Sequence, residues 1–455
     1  MNPEIFREYD IRGIVDKDLT DRDVVSIGKA FGSLMRNDGN SRVMVGRDCR
    51  LTSLRYRDLF VQGLLETGCH VVDIGVCPTP VLYFSIRHFK SEGGVMITAS
   101  HNPPEYNGFK MCLGFHTLFG QQIQSLRRII EEKRFASGSG TVEMGDAIVP
   151  YESFIEQNIT LPKPLKVGID AGNGTAGVVA VSILQRLGCE VFELYCDMDG
   201  RFPNHEPDPT VEDNMQDLMK LVRERELHVG IGYDGDGDRV GVIDETGAII
   251  WGDKLLVIFA REILERKPGA RFLADVKCSQ TLYDDIEKRG GQVVMWKAGH
   301  SLMKQKLKEV HAELAGEMSG HMFFGDRYFG YDDAVYASCR LLEILGTTGR
   351  TVTELLADLP KTFSTPELRV PCPDDKKFEV AKKITEYFRE RYDIIDIDGV
   401  RILFEDGWGL IRASNTQPVL VLRFEALTQG RLSEIQSLVE GVLEEIKKEL
   451  YVPSK

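Results

Sequence analysis

The sequence predicts an α/β protein with three similar mixed-sheet α/β domains and a smaller C-terminal α+β domain around a central cleft. Three observations predict this architecture. A strand–helix–strand pattern occurs three times, the last ninety residues depart from it, and polar motifs follow predicted strands in each part of the chain. At 455 residues the chain is long enough for about three to four domains.

Each copy of the repeat consists of a strand, a polar loop, a helix that ends at glycine and a second strand. The paired strands are predicted at 43–48 and 68–74, at 165–170 and 188–194, and at 271–276 and 290–296. This order is typical of right-handed βαβ units in a mixed or parallel sheet. Because the copies lie more than one hundred residues apart, they indicate repeated domains and not a solenoid.

The terminal region follows a different pattern. Short strands are predicted at 400–404, 408–413 and 419–426, and apolar helical periodicity predicts a helix over 432–450. Gly- and Pro-containing turns place the domain boundaries near 147, 250 and 365. The predicted domains are therefore 1–147, 148–250, 251–365 and 366–455.

Composition narrows the classes of partner. The chain is 42% hydrophobic and 28% charged with a net charge of −14, which argues against broad binding to nucleic acid or anionic membranes. An anionic substrate must then be met by locally placed cations. The nine cysteines contain no Cys-x-x-Cys pair or zinc spacing and are expected to be reduced. Since no leader or membrane-spanning run is apparent, cytoplasmic residence is the expectation.

The first motif surrounds Ser100, in the segment Thr98-Ala99-Ser100-His101-Asn102-Pro103-Pro104. An apolar strand over 94–97 precedes it, and the two prolines prevent that strand from continuing. Neighbouring side chains on a strand point apart, so the pattern argues against a serine–histidine hydrolase dyad of Ser100 and His101. Ordinary turn chemistry is an equally good explanation of this segment taken alone.

The second motif places Asp234, Asp236 and Asp238 between glycines after an apolar strand predicted over 227–231. Three carboxylates in five residues favour a cation, and Gly235 and Gly237 permit the backbone to curl around it. A calcium loop of the EF-hand type is the main alternative. It fails because Arg239 stands where that loop requires glycine and because the flanking segments resemble strands.

Two further motifs are weaker when taken singly. The segment Gly316-Glu317-Met318-Ser319-Gly320-His321 offers donors and acceptors suited to vicinal hydroxyl groups, although a turn cap would explain it equally. The segment Arg412-Ala413-Ser414-Asn415-Thr416-Gln417-Pro418 has the composition of a phosphate cradle, although it also suits an ordinary hairpin connection.

In this order, the four motifs resemble the phosphoserine, metal, sugar-binding and phosphate-binding loops of the α-D-phosphohexomutases, in the form of the bacterial phosphomannomutase/phosphoglucomutase branch. The resemblance implies catalytic roles for Ser100, Arg12, Lys110, Arg239 and His321. It implies substrate-binding roles for Tyr9, Lys277, His300, Glu317, Ser319, His321, Arg412, Ser414, Asn415, Thr416 and Arg423. It also implies Mg²⁺ held by Asp234, Asp236 and Asp238 together with phosphorylated Ser100.

The activity implied by the resemblance is the interconversion of hexose 1-phosphates and hexose 6-phosphates, of mannose, glucose or both. Phosphorylated Ser100 would donate its phosphate to form a 1,6-bisphosphate, which turns over and returns its other phosphate, and glucose 1,6-bisphosphate is a candidate activator. Either Lys110 or His321 would move the hydroxyl proton. The alternatives are a phosphoglucosamine mutase and a non-catalytic sugar-phosphate or Ca²⁺-binding protein. The expected state is a monomer or weak homo-oligomer.

Overall fold

The computed structural model describes residues 1–415 and 417–451, and these form four sheets. The predicted fold class is confirmed: three α/β units are followed by a smaller α+β unit. In each of the three repeats, the two strands joined by the helix pair in parallel, as Val43 with Val71, Val167 with Val191 and Phe272 with Val293.

The first unit contains a seven-stranded sheet in the order β1-β5-β4-β2-β3-β7, with β6 paired to β5. Its strands are β1 (Ile11–Ile14), β2 (Arg42–Arg47), β3 (His70–Val76), β4 (Gly93–Ile97), β5 (Tyr106–Leu113), β6 (His116–Thr117) and β7 (Val142–Met144). Its helices are α1 (Asp21–Asn37), α2 (Ser53–Glu66), α3 (Thr79–His88) and α4 (Gln121–Glu131). Helix α1 begins in a capping box formed by Thr20 and Asp23.

The second unit has a five-stranded sheet in the order β12-β11-β10-β8-β9. In chain order it consists of α5 (Ile148–Asn158), β8 (Lys166–Asp170), α6 (Gly177–Arg186), β9 (Glu190–Leu194), α7 (Gln216–Arg225), β10 (Val229–Tyr233), β11 (Val240–Ile243) and β12 (Ile249–Ile250). Strand β10 begins two residues later than the predicted strand and continues to Tyr233, directly before the three aspartates.

The third unit has a four-stranded sheet in the order β14-β13-β15-β16. Its elements are α8 (Gly252–Arg266), β13 (Arg271–Asp275), α9 (Gln280–Lys288), β14 (Gln292–Trp296), α10 (His300–Val310), β15 (Leu314–Gly316), β16 (Met322–Phe324), α11 (Ala334–Thr348) and α12 (Val352–Leu356). Helix α11 begins at the side chain of Asp333, which accepts a hydrogen bond from the amide of Tyr336.

The fourth unit has a six-stranded antiparallel sheet in the order β17-β22-β21-β20-β19, with β18 paired to β22. Its elements are β17 (Phe363–Ser364), β18 (Leu368–Pro371), α13 (Lys377–Arg389), β19 (Ile394–Ile395), β20 (Val400–Phe404), β21 (Gly407–Ala413), β22 (Val419–Ala426) and α14 (Gln429–Tyr451). Strand β7 ends at Met144, β12 ends at Ile250 and the fourth sheet begins at Phe363. The domain boundaries near 147, 250 and 365 stay predictions.

The packing of the units explains how residues distant in sequence reach one cleft. The largest apolar core contains residues of all three α/β units, and the fourth unit has its own core. Fourth-unit residues Trp408 and Leu410 pack against third-unit Val276. Buried Arg401 strengthens this contact because its guanidinium donates to the carbonyl oxygens of Val276 and Cys278, each at 2.8 Å, and lies over the Trp408 ring at 3.8 Å.

We expect the substitution Arg401→Met to loosen the fourth unit, because it leaves two buried carbonyl groups without their donors. The free energy of unfolding should fall by about 1–3 kcal/mol, measured by urea denaturation. Amide exchange in β20 and β21 should accelerate. The surface variant Arg431→Met, which removes a half-exposed pair with Asp406, should change stability by less than about 0.5 kcal/mol. Unchanged stability and exchange in Arg401→Met would contradict this account of the docking.

Candidate active site

Ser100 lies three residues beyond the end of β4, in a left-handed backbone conformation with φ of +52°. This conformation is unusual for a residue other than glycine, asparagine or aspartate, and therefore indicates local constraint. The Ser100 amide donates to Thr98 Oγ1 at 2.9 Å, and its hydroxyl donates to Asp234 Oδ2 at 2.7 Å. The serine is thus buried and aimed at the first of the three aspartates.

Arg50, which the sequence motifs did not reveal, holds this loop in place. Its fully buried guanidinium donates to the carbonyl oxygens of Ser100 at 2.8 Å, Asn102 at 2.5 Å and Pro103 at 2.6 Å. Asp48 accepts from Arg50 Nε at 3.1 Å and compensates the buried charge. A lone arginine after a strand gives no sequence signal for such a role, since its acceptors are backbone carbonyls fifty residues away.

The expectation that the side chains of Ser100 and His101 point apart is wrong. Ser100 Oγ lies 3.2 Å from His101 Nδ1. The argument from strand alternation does not apply, because β4 ends at Ile97 and the left-handed turn at Ser100 redirects the side chain. Burial, followed by the positive charges of Arg239 and Arg12, lowers the pKa of His101 well below its usual range.

The loop that carries the three aspartates, residues 234–238 and here called the acidic loop, packs directly against the loop that carries Ser100, here called the serine loop. A Cβ atom on Gly235 would lie 2.5 Å from the Ser100 carbonyl oxygen, so only glycine allows this approach, and Gly237 has φ of +73°. The loop curls because Asp234 Oδ1 accepts from the amides of Asp238 at 3.0 Å and Arg239 at 3.1 Å. The predicted curl is present, and strand β11 follows it where an EF-hand would continue as a helix.

Lys110 on β5 supplies positive charge to this loop. Its ammonium group donates to Asp236 Oδ2 at 2.7 Å and also to Asp238 Oδ2. Burial opposes the charge of Lys110, but Asp236 and Asp238 outweigh it and raise the lysine pKa. The pKa of Asp236 is lowered, because Lys110 outweighs the effect of burial on that carboxylate. Burial, then the neighbouring charges of Asp238 and Asp236, raises the pKa of Asp234.

The three aspartates fit a divalent cation. All three are fully buried, and each offers a ligand atom within 4.8 Å of the others. The Oδ1 atoms of Asp236 and Asp238 are buried without a hydrogen-bond partner. Buried carboxylate oxygens without donors are costly, and hard cations such as Mg²⁺ prefer oxygen ligands of this type. Asp234, Asp236 and Asp238 could therefore hold a metal ion next to Ser100.

His321 connects the acidic loop to a second group of buried residues. Arg239 Nε donates to His321 Nε2 at 3.0 Å, which places the histidine proton on Nδ1. That atom lies 3.3 Å from Asp332 Oδ2 and 3.7 Å from Asp238 Oδ1. Asp332 Oδ2 is also 3.4 Å from His300 Nδ1, and the two imidazole rings stack at 5.7 Å. Asp332, which the sequence analysis missed, thus orients both histidines.

The predicted sugar-binding loop lies on the same cleft. Buried Glu317 accepts from the amide of Gly299 at 2.6 Å, and half-buried Ser319 also lines the cleft. Tyr9 closes one side by donating to the Ala298 carbonyl at 2.9 Å. Arg12 lies beside the serine loop, where it donates to Asp10 at 2.6 Å and to Asn102.

The predicted phosphate-binding loop faces these residues from the fourth unit. Arg412 Nε donates to Asp398 Oδ2 at 2.8 Å, and Asn415 Nδ2 donates to the Tyr9 hydroxyl at 2.7 Å. Ser414 also lines the cleft, whereas Thr416 lies outside the described residues. From the third unit, Lys277 Nζ donates to Glu367 Oε2 at 3.2 Å.

The structure does not bring Arg423 to the cleft, which differs from the prediction. Its buried guanidinium lies 3.2 Å from Asp253 Oδ2 and donates to the Lys277 carbonyl oxygen. Asp253 at the start of α8 holds Arg423 beneath Lys277. Position in a strand next to the phosphate loop could not reveal this, because Val421 on the same face of β22 does line the cleft, and Arg423 is held away from it by Asp253, which is distant in sequence. Arg423 therefore supports the site from below.

All four units contribute to one cleft of about 650 Å³. Among the described residues that line it, seven lysines and arginines face four aspartates and glutamates. The cations are Arg7, Arg12, Lys110, Arg239, Lys277, Arg369 and Arg412. In a chain of net charge −14, this local excess of positive charge favours an anionic ligand. The nine cysteines are unpaired by disulfides, as expected, and no helix in the described part of the chain could cross a membrane.

Comparison with known proteins agrees with this arrangement. Family models described as phosphoglucomutase/phosphomannomutase match in order: α/β/α domain I over residues 3–137, domain II over 150–247, domain III over 251–363 and the C-terminal domain over 367–441.

Full-length relatives extend the match. A phosphomannomutase/phosphoglucomutase of Pseudomonas aeruginosa is 46% identical over 450 residues, covering 99% of this chain and 97% of the relative. A phosphoglucomutase of Neisseria gonorrhoeae is 44% identical and covers 97% of both chains. A crystal structure of a phosphoglucomutase/phosphomannomutase family protein from Burkholderia thailandensis is 43% identical, with a TM-score of 0.93 and 98% coverage of both chains. The chain therefore belongs to the phosphoglucomutase/phosphomannomutase family.

Proposed function

We propose that this protein interconverts hexose 1-phosphates and hexose 6-phosphates through a phosphorylated Ser100 and a 1,6-bisphosphate intermediate. The observation that carries the proposal is the hydrogen bond of 2.7 Å from Ser100 Oγ to Asp234, inside a cleft with cations from all four units. Relatives named for phosphomannomutase and phosphoglucomutase activity support the choice of substrates.

The proposed reaction is two phosphoryl transfers of opposite direction. In the first, the free hydroxyl oxygen of the hexose monophosphate attacks phosphorus, the bond from phosphorus to Ser100 Oγ breaks, and a bisphosphate forms. After the bisphosphate turns over in the cleft, Ser100 Oγ attacks its other phosphate. The bond between that phosphorus and its sugar oxygen breaks. The isomeric monophosphate then leaves, and Ser100 is phosphorylated again.

Two residues are suited to move the protons. His321 is the proposed acceptor of the substrate hydroxyl proton, once the substrate displaces Arg239 Nε from the lone pair of His321 Nε2. Lys110 is the proposed donor to the departing Ser100 oxygen, because its carboxylate neighbours keep it protonated. Asp332 Oδ2 lies 3.3 Å from His321 Nδ1, where its negative charge favours the proton on that nitrogen. In the return transfer the two residues exchange roles.

The remaining residues position the sugar and the phosphate that does not react. Asp234, Asp236 and Asp238 would hold Mg²⁺, which when bound offsets the negative charge of the phosphoserine. Arg412, Ser414 and Asn415 are proposed to bind the distal phosphate in both orientations of the sugar. Glu317 and Ser319 are proposed to contact hydroxyls shared by both orientations, which allows glucose and mannose phosphates to fit.

The proposal also includes cytoplasmic residence, a monomeric or weakly associating state, and activation by glucose 1,6-bisphosphate. The bisphosphate would rephosphorylate Ser100 after loss of its phosphate, since it is the proposed intermediate. Parallel assays with glucose 1-phosphate, mannose 1-phosphate and glucosamine 6-phosphate would determine which hexose is preferred.

The substitution Ser100→Ala removes the proposed phosphoryl carrier and should lower kcat by roughly a thousandfold or more while the protein still folds. The assay is conversion of glucose 1-phosphate and mannose 1-phosphate, with circular dichroism as the folding check. Ser125→Ala, on the exposed face of α4, is the control and should behave as the wild type. Mutase activity near the wild-type level in Ser100→Ala would refute the phosphoserine mechanism.

Removal of divalent metal should abolish activity, and Mg²⁺ should restore it. Asp236→Asn removes one anionic ligand and should weaken Mg²⁺ binding by at least about tenfold, measured by calorimetry as well as by turnover. The exposed variant Asp284→Asn is the matched control. Full activity after exhaustive chelation, or unchanged Mg²⁺ affinity in Asp236→Asn, would exclude the proposed metal site.

Arg412→Ala should raise KM and lower kcat/KM by about ten- to one-hundredfold, because a charge-assisted hydrogen bond to the distal phosphate is worth about 1.5–3 kcal/mol. Phosphorylation of Ser100 should remain. Substrate should slow amide exchange around residues 412–415 in the wild type and much less in the variant. Arg389→Ala, which breaks a surface pair with Asp396, is the control. Wild-type kinetics in Arg412→Ala would mean that the fourth unit does not bind the phosphate.

A further inference from the structure

A second cavity lies behind the proposed active site, between the first and third units. It has a volume of about 220 Å³ and is bounded by α3 and the β5–β6 hairpin on one side and by α10 and residues 329–331 on the other. Among the described residues, none of those lining this cavity also lines the substrate cleft. A ligand bound there would therefore touch two units without competing for the cleft.

The cavity is lined by cationic side chains, of which Lys304 is already paired with buried Asp332 at 2.8 Å. Arg87, Lys304 and Lys308 line it, and as far as the described residues go the lining contains no carboxylate. Lys308 Nζ donates to the Phe115 carbonyl oxygen at 3.0 Å, and no ion pair is found for Arg87 in the described part of the chain. Burial, followed by repulsion from Lys304 and Arg87, lowers the pKa of Lys308. An anion placed among these groups would relieve that repulsion.

The walls of the cavity are aromatic. The Arg87 guanidinium lies 5.4 Å from the Phe115 ring centroid and 4.6 Å from that of Phe329. Tyr83 and Tyr331 pack against each other at 5.4 Å behind them. Phe115 is 51% exposed at the tip of the hairpin, so its ring is accessible to a ligand. Planar rings and arginine together suit a ligand that carries an aromatic ring.

A chain of contacts joins the cavity to the active-site histidines. Lys304 Nζ donates to Tyr83 Oη at 3.2 Å and to Asp332 Oδ1 at 2.8 Å. The other oxygen of Asp332 faces His300 at 3.4 Å and His321 at 3.3 Å. Lys304 thus lines the cavity, and its partner Asp332 also orients both histidines. An anion that attracts its ammonium group would weaken the hold on Asp332.

We propose that this cavity binds an aryl phosphate and that the bound ligand lowers turnover through Lys304 and Asp332. The phosphate would accept from Lys304, Lys308 and Arg87, while the ring packs against Phe115 and Phe329. The binding claim stands on the cavity alone, whereas the effect on turnover rests on the proposed function. A binding measurement that does not depend on turnover therefore distinguishes failure of the binding site from failure of the proposed function.

The probe is phenyl phosphate, titrated by calorimetry into full-length protein whose cleft is saturated with glucose 6-phosphate. We expect one site with a Kd of about 1 mM or lower, and no binding of phenol, which lacks the phosphate. Arg87→Met and Lys308→Met should each weaken binding at least tenfold. Neither residue contacts the proposed active site, and thermal unfolding checks that both variants fold. Lys382→Met, an exposed cation of the fourth unit, should bind as the wild type.

In mutase assays, phenyl phosphate should lower kcat at saturating hexose phosphate, and Arg87→Met and Lys308→Met should remove this effect while keeping basal activity. Absence of binding in the presence of glucose 6-phosphate, or binding unchanged by both variants, would overturn the site. Binding that leaves kcat unchanged would overturn the link to the histidines.

Discussion

Neutralising three fully buried carboxylates is the constraint on which the rest of the site depends. Asp234, Asp236 and Asp238 belong to the second unit, yet their partners Ser100, Lys110 and Thr79 come from the first. Charges in such an environment are tolerated only when paired, so the acidic loop fixes the two sheets with the ends of β4 and β10 facing each other. Gly235 against the Ser100 carbonyl makes this approach sterically feasible. The reactive hydroxyl and the carboxylates therefore form a single unit whose geometry the fold imposes.

Asp332 plays the corresponding part within the third unit, and Arg239 of the second unit reaches it through His321. It orients His321, which Arg239 holds from the other side, and it binds Lys304 at the rear of the site. One buried carboxylate thus connects His321, the proposed proton acceptor, to a cavity at the junction of the first and third units. The fourth unit is attached differently, by Arg401 and Trp408 over Val276 and by the contact of Asn415 with Tyr9. The separate core of the fourth unit is consistent with the proposal that this unit closes on a phosphate and releases it.

The fold was largely predictable from the sequence because its pattern repeats. An order of strand, loop, helix, glycine and strand can be recognised without tertiary information. The strands of the fourth unit over 400–404 and 419–426 lie where they were predicted. Residues within the four motifs also reach the cleft, because each motif follows a strand end. Other features could not be predicted. Arg50, Asp332 and Lys304 act through partners distant in sequence, Arg423 turns away from the cleft toward Asp253, and the left-handed turn at Ser100 brings His101 to its hydroxyl.

The most direct test of the account is to follow phosphate on Ser100 by mass spectrometry of the purified protein. After treatment with glucose 1,6-bisphosphate, intact mass should show one phosphate per chain, and peptide mapping should place it on Ser100. If this phosphate carries ³²P, a brief excess of glucose 6-phosphate should transfer the ³²P to the sugar at a rate no slower than turnover, while Ser100 is phosphorylated again from the sugar. A phosphate on another residue, or a ³²P on Ser100 that does not pass to the sugar, would contradict the account.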